Sequence, residues 1–154
     1  METLKRLFAH DRWAIARMLA ALEVAPHAQA QALRYLAHLL LAEKIWLLRL
    51  QGADTSAVNK SPELSLAECK SLAHELEQAY DALLGSLDEA GLTDELTYKN
   101  FAWLEFKTPV RDILMHVALH GTYHRGQVAT AMRAAGATPV DTDFITFVRA
   151  IGTT

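Results

Sequence analysis

Cysteine is nearly absent from this chain. Cys69 is the only one among 154 residues, so no intrachain disulfide can form and a reducing compartment is permitted. Glycine and proline are also scarce, at 7 and 4, which leaves few points at which a helix must stop. Charge of neither sign forms a block. The 15 Lys and Arg are scattered among 18 Asp and Glu, the net charge is -3 and the pI is near 6.1. Phosphate neutralisation needs a basic face, so nucleic acid is excluded as an expected partner. Long apolar runs are missing too. The richest, at 35–42, stops at Glu43 and Lys44, well short of the roughly 18 to 20 residues that span a bilayer. The N-terminus, METLKRLFAHDRW, carries charge throughout and lacks the apolar core of a signal peptide. A soluble, cytoplasmic protein with no membrane partner is expected.

What is present is apolar and helix-forming. Apolar residues make up 51% of the chain against 21% charged, and Ala and Leu are frequent. A chain of 154 residues fills one core but not two typical ones, so a single domain over 1–154 is expected. From Glu2 to about Glu23 the apolar positions Leu4, Leu7, Phe8, Ile15, Met18, Leu19 and Leu22 return every three or four residues, the period of a helix with one buried face. Pro26 ends that run. A second helix is expected from about His27 to Gln51, closed by Gly52. Residues 52–64 hold turn formers with no apolar period and read as a loop. Ser65, with Glu68 three positions on, forms a capping box for a third helix to about Leu87. Residues 88–107 follow no clear pattern and suggest an extended segment laid across the helices. Thr108 as cap and Pro109 in the first turn announce a fourth helix to Ala135, stopped at Gly136. A short last helix is expected from about Asp141 to Ala150. Four long helices joined by loops imply an all-α, antiparallel arrangement of the four-helix-bundle type.

The chemistry concentrates in histidine. The fourth helix contains HVALHGTYH, which sets His116, His120 and His124 at successive i+4 steps, where neighbouring Cβ atoms lie about 5 to 6 Å apart and two imidazoles can share one ion. With 7 His in the chain, composition alone yields roughly 0.3 such pairs, so one pair is weak and two overlapping pairs carry more. A helix face drifts by about 40° every four residues, so three successive positions converge poorly, and His120 with His124 is the favoured pair. Their helix is otherwise apolar at Ile113, Leu114, Val117, Val128 and Met132, where an imidazole needs a hydrogen bond or a metal to offset its desolvation. His38, in YLAHLLLAEKIW, is the third candidate. Three neutral imidazoles with one open position suit zinc or a related borderline ion. Spacing alone leaves equal room for ordinary core histidines that donate to backbone carbonyls. No HExxH is present, which leaves a protease of that type unsupported.

Other residues carry less. His10, His27 and His74 stand among polar neighbours and are expected in solvent. Cys69, between Glu68 and Lys70, would be nucleophilic only with a lowered pKa. Trp13 and Trp46 read as packing residues. Arg125 either steers an anionic substrate or, as is commoner on a helix, is solvated or paired.

With these residues in hand, the chain resembles the DinB family of metal-binding four-helix bundles, also called DinB/YfiT-like, over nearly its whole length. The resemblance is carried by LFAHDRWA, AHLLLAEKIWLLRL, TPVRDIL, HGTYHRGQ and TDFITFVR in that order. It implies a metal triad of His38, His120 and His124, with His116 outside it. It also implies zinc or nickel in the site, a homodimer, and activities that include thiol-dependent transferases and isomerases using low-molecular-weight thiols such as bacillithiol or mycothiol.

Three functions follow as expectations. The first is an enzyme that activates a small thiol for transfer to a small-molecule electrophile. The second is a hydrolase using metal-bound hydroxide. The third is a bundle whose metal is structural, stored or sensed, which would need a closed site; Glu43 and Glu105 are the candidates for a fourth ligand. Tyr123, Gln127 and Trp103 are expected near the metal without an assigned role.

Overall fold

The computed structural model describes residues 1–56, 58, 63–100 and 102–152. Four long helices build the body: α1 (Glu2–Glu23), α2 (Gln29–Leu50), α3 (Leu66–Ser86) and α5 (Val110–Ala134). Between the last two lie a short helix, α4 (Glu89–Thr93), and two strands, β1 (Glu95–Lys99) and β2 (Glu105–Pro109). A final helix, α6 (Phe144–Ile151), follows α5. The architecture is the helical bundle that the sequence implies, with a two-stranded sheet added.

Each helix is placed by its apolar positions. In α1 the buried residues Leu4, Phe8, Asp11, Ile15, Met18 and Leu22 form one stripe. α2 is the central element, packed against α3 and most extensively against α5. Its Leu36, Leu39 and Leu40 are fully buried, each contributing about 1.5–3 kcal/mol over exposure. The phenol of Tyr80 on α3 donates to the Glu43 carbonyl oxygen at 2.8 Å and ties α3 to α2.

Helix ends follow the expected chemistry at three places. Ser65 and Glu68 form the full capping box at the start of α3. Gly52 and Gly136 adopt φ of +70 and +81 just past α2 and α5, the left-handed conformation that closes a helix at little steric cost. Of the expected loop at 52–64, residues 57 and 59–62 lie outside the described part.

Three boundaries differ from expectation. Residues 26–28 form a separate 3-10 turn, so α2 begins at Gln29. The stretch at 88–107 is more ordered than a single extended segment. Asp88 caps α4 by accepting from the Gly91 amide, and β1 pairs antiparallel with β2, Tyr98 opposite Phe106. Thr108 is not the cap of the fourth long helix. It lies in β2, Pro109 holds the N-cap position without a side-chain bond, and the Val110 amide donates instead to the Asp94 carbonyl at 2.9 Å. The competing pull was strand pairing, which draws Thr108 into the hairpin.

Candidate metal centre

α2 and α5 pack face to face, and their contact brings His38 against His120 and His124. One ring nitrogen of each lies within 4.8 Å of those of the other two, a cluster able to hold a metal ion. The Nε2 atoms of His120 and His124 stand 3.1 Å apart. His38 is exposed, His120 half-buried and His124 buried, so the cluster grades from solvent into the bundle.

Hydrogen bonding determines which nitrogen of His124 is available. Its Nδ1 lies 2.6 Å from Gln127 Oε1. An amide oxygen only accepts, so Nδ1 carries the proton and Nε2 presents its lone pair to His120. Two nitrogen lone pairs facing each other at this distance repel unless a proton or a cation lies between them. Imidazoles sharing one tetrahedral zinc at about 2.0–2.1 Å would themselves stand about 3.3 Å apart. His120 and His124 therefore fit a divalent ion in both donor type and separation, and His38 brings a third nitrogen within 4.8 Å of theirs.

The electrostatics agree. Burial is the main cause that brings the His120 pKa down to about 4, helped by the neighbouring imidazoles of His124, His116 and His38. Burial also lowers His124, against the opposing effect of its bond to Gln127. Near neutral pH both rings are held uncharged, the form that binds a metal.

His38 and His120 line one end of a cavity of about 400 Å³ whose walls include Leu41, Ile45, Trp46 and Phe106. The cavity is bounded by α2 and by the hairpin, which contributes Tyr98 and Phe106. His116 falls outside the cluster, as expected; its ring packs edge-on to Trp46 at 5.4 Å.

Several expectations about single residues change. His10 is not solvated: it is 5% exposed, and its Nε2 donates to the Thr142 carbonyl at 2.8 Å amid Trp13, Phe144 and Phe147. Thr142, Phe144 and Phe147 lie more than 130 residues away, so the polar sequence neighbours of His10 gave no hint of them. His27 and His74 are exposed, as expected. Of the two readings of Arg125 the paired one holds: it is buried and bonded to the Asp11 carboxylate and, at 2.7 Å, to Thr122 Oγ1. Glu43 belongs to that same buried group. Desolvation first, and then the neighbouring Asp11, push its carboxyl well above the usual range, and it takes no part in the histidine cluster. Glu105 is exposed in β2 and likewise outside the cluster. Trp103 lies in the hairpin turn with φ of +62, away from the histidines. Gln127 stands beside the cluster, where it was expected, and its bond to His124 supplies the role that was left unassigned. Its position three residues after His124 is the signal for that role.

A helical bundle with three histidines gathered between two of its long helices is the class these features define. The DinB family model matches residues 12–152, and the chain belongs to the DinB family. It is 26% identical over 156 residues to Protein DinB of Bacillus subtilis (strain 168), with 90% of each chain covered. The crystal structure of a DinB-like protein from Bacillus cereus ATCC 10987 superposes with a TM-score of 0.73 at 20% identity, over 92% of this chain and 96% of that one, a likeness of fold.

Proposed function

We infer that this protein is a metal-dependent enzyme that activates a small thiol and transfers it to an electrophilic small molecule, with His38, His120 and His124 holding one divalent ion, zinc or nickel. The observation that carries this reading is the meeting of three ring nitrogens within 4.8 Å at the end of an apolar cavity, with His38 and His120 lining it. A divalent ion bound there supplies Lewis acidity, which lowers the pKa of a thiol or water that it binds.

The chain's own residues do the rest. Gln127 fixes the His124 ring so that Nε2 faces the site. Burial keeps His120 and His124 unprotonated. Leu41, Ile45 and Trp46 shed water from the space beside them. No side chain of the protein is placed to be the sulfur nucleophile. Cys69 is buried on α3, and burial first, then Glu68, push its thiol up to about 11. On this reading the thiol is a separate molecule. Its proton passes to solvent water, its sulfur forms the new bond to the electrophilic carbon, and the leaving group departs with the electron pair of the bond that breaks.

Metal-loaded protein should turn over a chlorodinitrobenzene-type electrophile only when a thiol such as cysteine or a bacterial low-molecular-weight thiol is present. Turnover without thiol, rising with pH, would replace this reading by hydrolysis. No turnover with any thiol or electrophile would leave a non-catalytic metal site.

A further inference from the structure

His38, Ala42 and Trp46 follow one another along α2 at steps of four and line the same cavity of about 400 Å³. Successive Cβ atoms at that spacing lie about 5 to 6 Å apart, and the row runs about 12 Å from its first Cα to its last. The middle member stops at Cβ. Both neighbours carry rings, so the row has an imidazole at one end, an indole at the other and a recess over Ala42 between them.

The walls of this recess are aromatic and held in place. The Trp46 indole meets Tyr98 edge-on at 5.0 Å and His116 edge-on at 5.4 Å. Phe106 reaches in from the hairpin, stacked on Tyr98 at 5.9 Å, and keeps 43% of its surface exposed. An apolar ring set against Phe106 would take that surface out of water.

The polar groups around the cavity are already engaged within the protein. Arg49 donates from Nη2 to the Lys99 carbonyl oxygen at 3.1 Å, and its guanidinium lies over the Trp46 and Tyr98 rings. The Asn100 side-chain oxygen accepts from the Ala102 and Leu104 amides at 2.9 and 3.0 Å. Among the described residues that line the cavity there is no carboxylate and no lysine. A charged group entering here gives up hydration for walls that are mostly apolar, whereas a neutral ring gives up little and gains aromatic neighbours.

We propose that the recess over Ala42 takes a neutral, planar aromatic group of one or two fused rings, and that Ala42 is the residue that sets the size of the electrophile the site accepts. The cavity volume lies at the low end of the range for small-molecule pockets, about 300–1,000 Å³, which fits such a group with a short substituent. The role of the ring as part of an electrophile rests on the histidines being the reacting end, with the electrophilic carbon turned toward His38 and His120. Ring binding itself needs no metal, so the two can be tested apart.

Chelator-treated protein is titrated with 2-naphthylmethanol, 2-naphthoate and 2-naphthylmethylammonium, by calorimetry and by the indole N–H resonances of Trp46 and Trp13. The neutral alcohol is expected to bind about tenfold or more tightly than either ion, and to shift Trp46 while leaving Trp13 in place. Ala42→Phe, which fills the recess, should weaken the alcohol about tenfold or more, and Phe106→Ala, at an exposed hairpin position, should weaken it severalfold. An ion bound as tightly as the alcohol by the unaltered protein overturns the proposal whether or not the variants fold. So does alcohol binding that leaves Trp46 unshifted or survives Ala42→Phe undiminished. Alcohol binding that is lost in Ala42→Phe, in protein that takes up no metal, would sink the metal reading and leave the aromatic recess standing. Thiol-dependent turnover of iodoacetamide by zinc-loaded protein that binds no naphthyl compound would do the reverse.

Discussion

His124 donates from Nδ1 to Gln127 Oε1 at 2.6 Å, one turn further along α5, and this bond turns its Nε2 toward His120. Partners of this kind set ring orientation and ligand basicity at metal sites, and their loss costs about 10–100-fold in affinity. Gln127→Ala should weaken zinc binding by about that factor, measured by competition with a chromophoric chelator, while Gln127→Glu, which keeps an acceptor, should hold or tighten it. Unchanged affinity in Gln127→Ala would show that the bond does not orient the ligand.

Directly behind the site, Arg125 and Asp11 join α5 to α1 in the interior, and Gly121 makes room for them. A Cβ at Gly121 would stand 2.5 Å from Asp11 Oδ1 and 3.0 Å from Arg125 Nη1. On a helix, Gly→Ala ordinarily gains up to about 1 kcal/mol. Here the buried pair cannot swing away, and Gly121→Ala should instead destabilise by about 1–3 kcal/mol, read as a lower midpoint of chemical unfolding.

The Asp11–Arg125 pair can be tested directly. Arg125→Met strands a buried carboxylate and should cost about 3–5 kcal/mol, whereas the double change Asp11→Leu with Arg125→Met should recover much of the loss. Additive losses in the double variant would mean that the two side chains do not act as a unit.

The histidine site also makes the metal-free protein sensitive to acid. Burial first, and then the neighbouring imidazoles, bring the His120 pKa down to about 4 from the ordinary histidine value of 6.5. A group whose folded pKa is depressed contributes stability that is complete above its unfolded pKa and lost as pH falls through the folded one. The metal-free protein should therefore lose stability between about pH 6.5 and pH 4. His120→Gln should flatten that part of the profile, measured as Tm against pH with chelator present.

Much of this was legible in the sequence, and the exceptions share one physical feature. The helical period of α1, the capping box at Ser65 and Glu68, and the closing glycines are local signals, and each fell where expected. HGTYH likewise placed His120 beside His124, because i+4 spacing on a helix is itself geometry. His38 was a candidate from its apolar setting, but it joins them only through the packing of α2 on α5, which spacing does not supply and the family resemblance implied. What was misread depended on distant partners. His10 is buried against residues of α6 and the Thr142 carbonyl, and Thr108 joins a strand rather than capping a helix; Arg125 is paired, as one of its two readings had it, but its distant partner Asp11 was not legible.

The most direct test of the central claim is elemental analysis of untagged protein purified without added metal, beside the His38→Ala, His120→Ala, His124→Ala and His116→Ala variants. The account predicts about one zinc or nickel per chain, as expected for a single three-histidine site, lost in the first three variants and kept in the fourth. Protein that neither carries metal nor takes it up, or a site lost equally in His116→Ala, would contradict it.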